Sequence, residues 1–132
     1  MMQKREARNL KMVILAFGVI SLVYGFFFMV IPGWYLNMIG ESPVPLVNIR
    51  WSGGVLIALA YGAWKFYKDP AKGKAYAYTI AAAPLLGGSS LLYSLITGEY
   101  TGRGVFHAFP GVLGIAISLL VIWNLRKIKS WD

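Results

Sequence analysis

The sequence contains no cysteine and a single histidine, and only 14% of its 132 residues are charged. The absence of cysteine excludes disulfides, thiol chemistry, and zinc or iron–sulfur sites with thiolate ligands. One histidine and five scattered acidic residues also give no basis for a multi-histidine or carboxylate metal site within one chain. A soluble domain has about 25% charged residues, so the low charge content disfavours a water-soluble fold.

Long stretches without charge dominate the chain instead. Apolar residues make up 58% of the sequence, and the mean hydropathy is +0.59. No charged residue occurs in the 29 positions between Lys11 and Glu41 or in the 24 positions between Lys74 and Glu99. A helix needs about 20 apolar residues to cross a bilayer. The sequence therefore predicts an all-α membrane protein. A single domain is expected to form a bundle of four transmembrane helices joined by short loops. The predicted spans are at about 12–31, 45–67, 75–96 and 106–123.

Residues at the predicted membrane boundaries indicate the orientation. Eleven of the thirteen lysines and arginines flank the two termini and the second loop, and only Arg50 and Arg103 lie on the other side. Short loops rich in Lys and Arg remain in the cytoplasm, so both termini are predicted to be cytoplasmic. At the other side Trp34 and Tyr35 are predicted to be interfacial anchors. The net charge of +8 is attributed to topology and contact with lipids, and no nucleic-acid partner is expected.

Two short segments 58 positions apart resemble each other. The segment from Tyr35 to Glu41 and the segment from Tyr93 to Glu99 both begin with tyrosine and end with Gly-Glu. At the same offset, Gly53 aligns with Gly111. The matches are few, and coincidence is one explanation. The alternative is a helical hairpin duplicated in parallel orientation about an axis along the membrane normal.

Small residues recur at helical spacing in several spans. In the second span, Gly54, Ala58 and Gly62 follow each other at intervals of four and form one stripe. Such a stripe allows another helix backbone to approach closely, so this is the strongest packing signal in the sequence. Further packing glycines are predicted in the first and fourth spans: Gly18, Gly25, Gly111 and Gly114. Packing within the chain is favoured, and assembly between chains is the alternative.

The third span contains Pro84, Gly87 and Gly88 near its middle. Proline removes one backbone hydrogen bond and kinks a helix. Carbonyl groups released in this way can line a substrate site in a transporter. We predict a kinked packing helix, and the alternative is a site for a hydrophobic ligand beside Pro84.

Polar residues gather at the predicted outer end of the bundle. The candidate cluster comprises Asn48, Arg50, Glu99, Arg103 and His107. Arg50 is the only charged residue inside a predicted span, and intramembrane charges are functional candidates. It either snorkels to the interface as an anchor or pairs with Glu99, Glu41 or an anionic ligand. His107 is a candidate for proton relay, because histidine is the side chain suited to that role at physiological pH. No nucleophile and base occur at an informative spacing, however, so no catalytic residue is predicted.

Three short motifs carry a resemblance to a known family. They are Leu22, Gly25 and Pro32 closing the first span, Arg50-Trp51-Ser52-Gly53-Gly54 opening the second, and Leu91-Leu92-Tyr93-Ser94 through Gly98 closing the third. In this layout the chain resembles the small four-helix bacterial and archaeal membrane proteins grouped as DoxX-like. The resemblance implies the cytoplasmic (inner) membrane of a prokaryote and, because some members are linked to quinone-coupled sulfur oxidation, contact with a quinone or lipid. No catalytic residue of the group matches a position of this chain.

The expected function is that of a non-catalytic accessory or assembly subunit of a larger membrane complex of the respiratory, photosynthetic or small-molecule-oxidising kind. No intrinsic cofactor is expected. Aromatic residues make up 15% of the chain and are expected to contact lipid, quinone, pigment or neighbouring subunits. The alternatives are a small protein that binds or transports a hydrophobic ligand such as a quinone or lipid, and a DoxX-like partner of a quinone-linked oxidoreductase.

Overall fold

The structure, a computed structural model, describes residues 2–41, 45–100 and 102–128, without the side chains of residues 2–6 and of His107. Within these ranges the regular elements are five helices: α1 Met2–Val30, α2 Pro32–Ile39, α3 Leu46–Lys68, α4 Lys74–Thr97 and α5 Val105–Leu125. All except α2 contain a segment long and apolar enough to cross a membrane. The prediction of an all-helical, multi-pass membrane protein is thus confirmed. The short α2 was not predicted, and α1 begins at Met2 because lysine and arginine are good helix formers.

The bundle consists of two antiparallel helix pairs. α1 packs along α3 and α4 packs along α5, whereas α3 and α4 touch each other little. Glycines bring the two backbones of each pair together: a Cβ atom added to Gly25 would lie 2.9 Å from the carbonyl oxygen of Gly53, and one added to Gly88 would lie 2.4 Å from that of Gly111. Such close approach provides the van der Waals contact that joins helices within a membrane. The glycines predicted for packing in the first and fourth spans all lie at close contacts: Gly18, Gly25, Gly111 and Gly114.

The stripe of small residues in α3 is not the face that packs. A Cβ atom added to Gly54 would meet nothing within 4 Å, and Ala58 is exposed. Only Gly62 is covered, by an aromatic ring of α4. The contact with α1 is made by Gly53 and Ala63 on the adjacent face. Packing within the chain, the favoured interpretation, thus does not hold for Gly54 and Ala58, because a four-residue interval identifies a stripe of the helix but not the direction in which it faces. Assembly between chains through this stripe stays a prediction.

A hydrophobic core fills the half of the bundle where α1 and α4 begin and α3 and α5 end. All four long helices contribute buried side chains: Leu10, Ile14, Phe17, Ala63, Phe66, Ala77, Ile80, Ala81, Ile117 and Val121. In this half α4 reaches α3, and the Tyr76 hydroxyl donates a hydrogen bond to the Leu59 carbonyl oxygen. We call this half of the bundle the basic end, and the opposite half, which carries α2 and residues 98–104, the loop end.

Ammonium groups lie over aromatic rings at the basic end. The distances from Nζ to the ring centroid are 4.9 Å for Lys11 over Tyr67, 4.7 Å for Lys68 over Trp64, and 4.5 Å for Lys127 over Trp123. Aromatic and basic side chains of this kind are enriched where helices leave a bilayer. The arrangement therefore marks the basic end as one membrane boundary.

A proline separates α1 from α2. The residue before a proline is disfavoured in the α conformation, and Ile31 accordingly adopts φ −128° and ψ 49°. Pro32 then occupies the first turn of α2, where its missing N–H is not needed. The new helix buries Tyr35 while Trp34 stays exposed. Tyr35 is therefore part of the bundle and not the interfacial anchor that was predicted.

The 58-residue offset of the sequence recurs in the structure. α2 and α4 end at Gly40 and Gly98, which adopt φ values of 72° and 73°, a conformation that glycine adopts at no steric cost. The amide groups of Glu41 and Glu99 then donate hydrogen bonds of 3.1 and 3.0 Å to carbonyl oxygens five residues earlier, as in a Schellman cap. At the same offset, α3 and α5 correspond at both ends to within one residue. These matches favour the duplicated hairpin over coincidence.

Candidate functional site: a cavity between the helix pairs

A cavity of about 630 Å³ lies between the two helix pairs. This volume is within the range of about 300–1,000 Å³ that is typical of small-molecule sites. The cavity extends from Phe17 and Ile117 in the middle of the bundle to the loop end. Apolar side chains of all five helices form most of its wall, among them Phe17, Ile20, Phe28, Leu36, Ile49, Leu56, Leu59, Leu91, Phe106, Leu113 and Ile117.

Small residues in the middle of α4 leave this space open. Ala83, Pro84, Gly87 and Gly88 all line the cavity. Gly88 packs against α5, whereas a Cβ atom added to Gly87 would meet nothing within 4 Å. α4 remains helical from Lys74 to Thr97, through Pro84. The segment thus packs on α5 and also forms one wall of the cavity, while the kink and the ligand site beside Pro84 stay predictions.

Two connecting segments cover the loop end of the cavity. Tyr35, Leu36 and Ile39 of α2 line it from one side, and Glu99 and Tyr100 line it from the other. The backbone N–H of Arg103 donates a hydrogen bond of 2.8 Å to the Ile39 carbonyl oxygen and joins the two segments. The described residues of these segments line the loop end of the cavity, and the hydrophobic core fills the basic end.

The charged groups of the lining are carboxylates. Glu41 and Glu99 both line the cavity at the loop end, at equivalent positions of the internal repeat. The Ser94 hydroxyl donates a hydrogen bond of 3.1 Å to Oε2 of Glu99. Among the side chains that the structure describes, no lysine or arginine lines the cavity. The polar end of the cavity is therefore acidic.

Three aromatic rings that line the cavity form a cluster. Tyr24, Phe28 and Tyr35 contact each other edge to face, with centroids 4.9–6.4 Å apart and planes inclined by 63–78°. Burial, together with the nearby Tyr24 and Tyr100, raises the pKa of Tyr35 to about 12. Burial and the carboxylate of Glu41 raise the pKa of Tyr100. These two hydroxyls therefore remain neutral in the physiological pH range, and they can donate and accept hydrogen bonds.

A buried hydroxyl lies deeper in the cavity. Ser21 is 2% exposed and lines the cavity, and its Oγ has no hydrogen-bond partner among the described residues. A buried hydroxyl without a partner costs about 1–3 kcal/mol. A ligand or water molecule that bonds to Ser21 would remove this cost. The middle of the cavity thus offers one polar contact in apolar surroundings.

Of the members of the predicted polar cluster whose side chains the structure describes, only Glu99 lines this cavity. Asn48 and Arg50 are exposed on α3, and Arg50 forms no ion pair with any residue that the structure describes. Arg103 is exposed and lies beside Gly40. The structure therefore does not show the predicted pairing of Arg50 with Glu41 or Glu99. His107 belongs to α5, but its side chain lies outside the described part of the structure.

Sequence reasoning missed the aromatic rings and gave Glu41 only a secondary role. The repeat already related Glu41 to Glu99, and this was the one signal in the sequence that could have found the acidic pair. The four-residue interval predicts contact between Tyr24 and Phe28 on one helix. Their contact with Tyr35 was not predictable, because it depends on the break at Ile31 and on the direction of α2. Within the described ranges, no group of three or more His, Asp or Glu side chains is placed to hold a metal ion.

Comparison with known proteins found no family model, no curated protein and no solved structure that matches this chain. The resemblance to DoxX-like proteins therefore stays a prediction. The geometry of the cavity is the basis on which a function can be argued.

Proposed function

We propose that this protein binds a hydrophobic molecule of the lipid or quinone size class in the cavity between its helix pairs. The observation that supports this most directly is the division of the lining: apolar walls run along most of the cavity, and the charged groups are confined to the loop end. Ligand sites are typically apolar with a few polar groups that orient the ligand. A molecule with a hydrophobic body and a polar head matches this division.

The ligand reaches the cavity from the bilayer, between α3 and α4. These neighbouring helices have the fewest contacts of any two consecutive long helices, and their hydrogen bond from Tyr76 to Leu59 is at the basic end. Leu56 of α3 and Gly87 of α4 face the cavity farther toward the loop end. Because the basic end is filled by the core, the arrangement supports binding and not passage across the membrane.

Filling the cavity tests the proposal. In Gly87→Leu the new side chain extends into space where nothing lies within 4 Å of the Cβ position, so the fold is retained while the cavity is reduced. Gly54→Leu is the matched control because its Cβ position is equally open and Gly54 does not line the cavity. Both proteins are purified in mild detergent, and co-purified hydrophobic molecules are quantified per chain by mass spectrometry.

We expect one molecular species to be enriched over bulk lipid in the parent and in Gly54→Leu, and to be reduced several-fold in Gly87→Leu. Equal retention in all three proteins would contradict the proposal, as would the absence of any enriched species from the parent.

The accessory-subunit function, the cytoplasmic position of both termini and the location in a prokaryotic inner membrane stay predictions. The exposed apolar faces of the four long helices fit neighbouring subunits and fit lipid equally well. Migration on a native gel after gentle extraction tests the assembly. A protein that migrates only as a monomer or small homo-oligomer would contradict the subunit function and leave ligand binding unaffected.

A further inference from the structure

We infer that the cavity selects a hydrophobic molecule whose head group is an organic cation, such as an ammonium group, and rejects one with an anionic head. This inference rests on the proposed function and adds the charge of the ligand to it. Three independent features of the cavity support it: the sign of its charged groups, the arrangement of its aromatic rings, and the position of its polar end.

The sign of the charge is the first feature. Glu41 and Glu99 line the cavity from two different connecting segments, so both acidic side chains border its loop end. No described lysine or arginine lines the cavity, and Arg103 is exposed beside Gly40. A carboxylate accepts hydrogen bonds and attracts cations, but it cannot donate to an anionic head group.

The aromatic rings are the second feature. Tyr24, Phe28 and Tyr35 all line the cavity and contact one another edge to face, with planes inclined by 63–78°. Ring faces are electron-rich and attract ammonium groups, and sites that bind quaternary ammonium ligands are commonly built from several aromatic rings.

The position of the polar end is the third feature. Among the described side chains of the lining, charge occurs only at the loop end, and deeper inside Ser21 offers a neutral hydroxyl among apolar side chains. A charged head is therefore stable only at the loop end, next to Glu41 and Glu99. The hydrophobic body of the same molecule then occupies the space beside Gly87 and Ser21.

Two probes of the same shape and opposite charge test the inference. Tetraphenylphosphonium and tetraphenylborate differ in the sign of their charge while both are large and hydrophobic. Binding of each to the protein in phosphatidylcholine nanodiscs is measured by equilibrium dialysis, with empty nanodiscs subtracted. We expect tetraphenylphosphonium to bind and tetraphenylborate not to bind above the empty-nanodisc background.

Substitution of the carboxylates makes the test specific. A partly exposed ion pair contributes up to about 1 kcal/mol, so Glu41→Gln and Glu99→Gln are each expected to weaken tetraphenylphosphonium binding about threefold, and the double variant about tenfold. Asp69→Asn is the control, because it removes a carboxylate from the loop between α3 and α4 at the basic end. It should leave binding unchanged.

The outcomes separate this inference from the proposed function. If both probes bind with similar affinity, or the Gln variants bind like the parent, while Gly87→Leu still reduces binding, the cavity binds hydrophobic molecules without regard to charge and the inference is overturned. Binding of a neutral quinone in preference to both ions would overturn it as well. If no probe binds and no molecule co-purifies, the proposed function fails together with the inference. When tetraphenylphosphonium binds as expected, lipid extraction shows whether the natural cation is a membrane lipid or a free small molecule.

Discussion

Gly53 and Gly54 are adjacent residues of α3 that should respond in opposite ways to the same substitution. A Cβ atom on Gly53 would lie 2.7 Å from the backbone nitrogen of Met29 and 2.9 Å from the carbonyl oxygen of Gly25. Both are backbone atoms of α1, so no side-chain rotation relieves the overlap and the two helices must separate. A Cβ atom on Gly54 meets nothing within 4 Å.

The magnitudes follow from two terms. Replacing glycine by alanine inside a helix stabilises it by about 0.8–1 kcal/mol, and this gain applies to both variants. Overpacking a close contact costs about 1–3 kcal/mol, and this cost applies to Gly53→Ala alone. Gly54→Ala should therefore be neutral or slightly stabilising. Gly53→Ala should be less stable than Gly54→Ala by about 1–3 kcal/mol, because the gain in helix propensity cancels in the comparison.

The free energy of unfolding can be measured by titrating the purified protein with a denaturing detergent and following tryptophan fluorescence. Far-ultraviolet circular dichroism at zero denaturant serves as the control that both variants keep the helical content of the parent. If Gly53→Ala proved as stable as Gly54→Ala, the close backbone contact between α1 and α3 would be wrong. The assignment of the packing face to Gly53 would then be withdrawn.

Three further predictions concern contacts and topology. Tyr76→Phe removes the hydrogen bond to the Leu59 carbonyl oxygen. It should lower the free energy of unfolding by about 0.5–1.5 kcal/mol. An unchanged free energy of unfolding would show that this bond does not hold α3 and α4 together. The free energies of unfolding of Arg50→Ala and Arg50→Lys should both stay within about 0.5 kcal/mol of the parent value, because Arg50 is exposed and forms no ion pair within the described ranges. If Arg50→Ala were much less stable while Arg50→Lys matched the parent, Arg50 would have to have a charged partner. Asn37 and Ala71 are exposed at opposite ends of the bundle, and each can be replaced singly by cysteine. On intact cells a membrane-impermeant thiol reagent should label only the cysteine at position 37. Labelling at position 71 would contradict cytoplasmic termini.

The long helices were predictable because one physical effect dominates them. Placing a charged side chain in hydrocarbon is costly wherever it lies in the helix, so the uncharged stretch from Lys11 to Glu41 reveals a span without any knowledge of its neighbours. The same effect makes Arg50 conspicuous in the sequence, which leaves an interfacial anchor and an ion pair as alternatives for it. In the structure Arg50 is exposed near the start of α3 and has no place in the cavity.

The cavity was not predictable because it depends on which face each helix turns inward. Gly53 and Gly54 differ by one step around the helix, yet one packs and the other does not. Likewise Gly88 packs on α5 while Gly87 lines the open space. These choices depend on contacts between helices that are distant in sequence, and no interval within one helix records them.

The internal repeat explains why the cavity is acidic, and its one irregularity explains how the cavity is covered. The repeat places Glu41 and Glu99 after equivalent glycine caps, so both carboxylates reach the same end of the bundle. At the position that corresponds to Pro32 the second half has a serine, and α4 continues to Thr97 without a break. The consequence is visible in the equivalent tyrosines: Tyr93 is 63% exposed, whereas Tyr35 is 8% exposed and lines the cavity. The break at the single proline of one half thus accompanies the burial of an aromatic ring in the cavity that the two carboxylates also line.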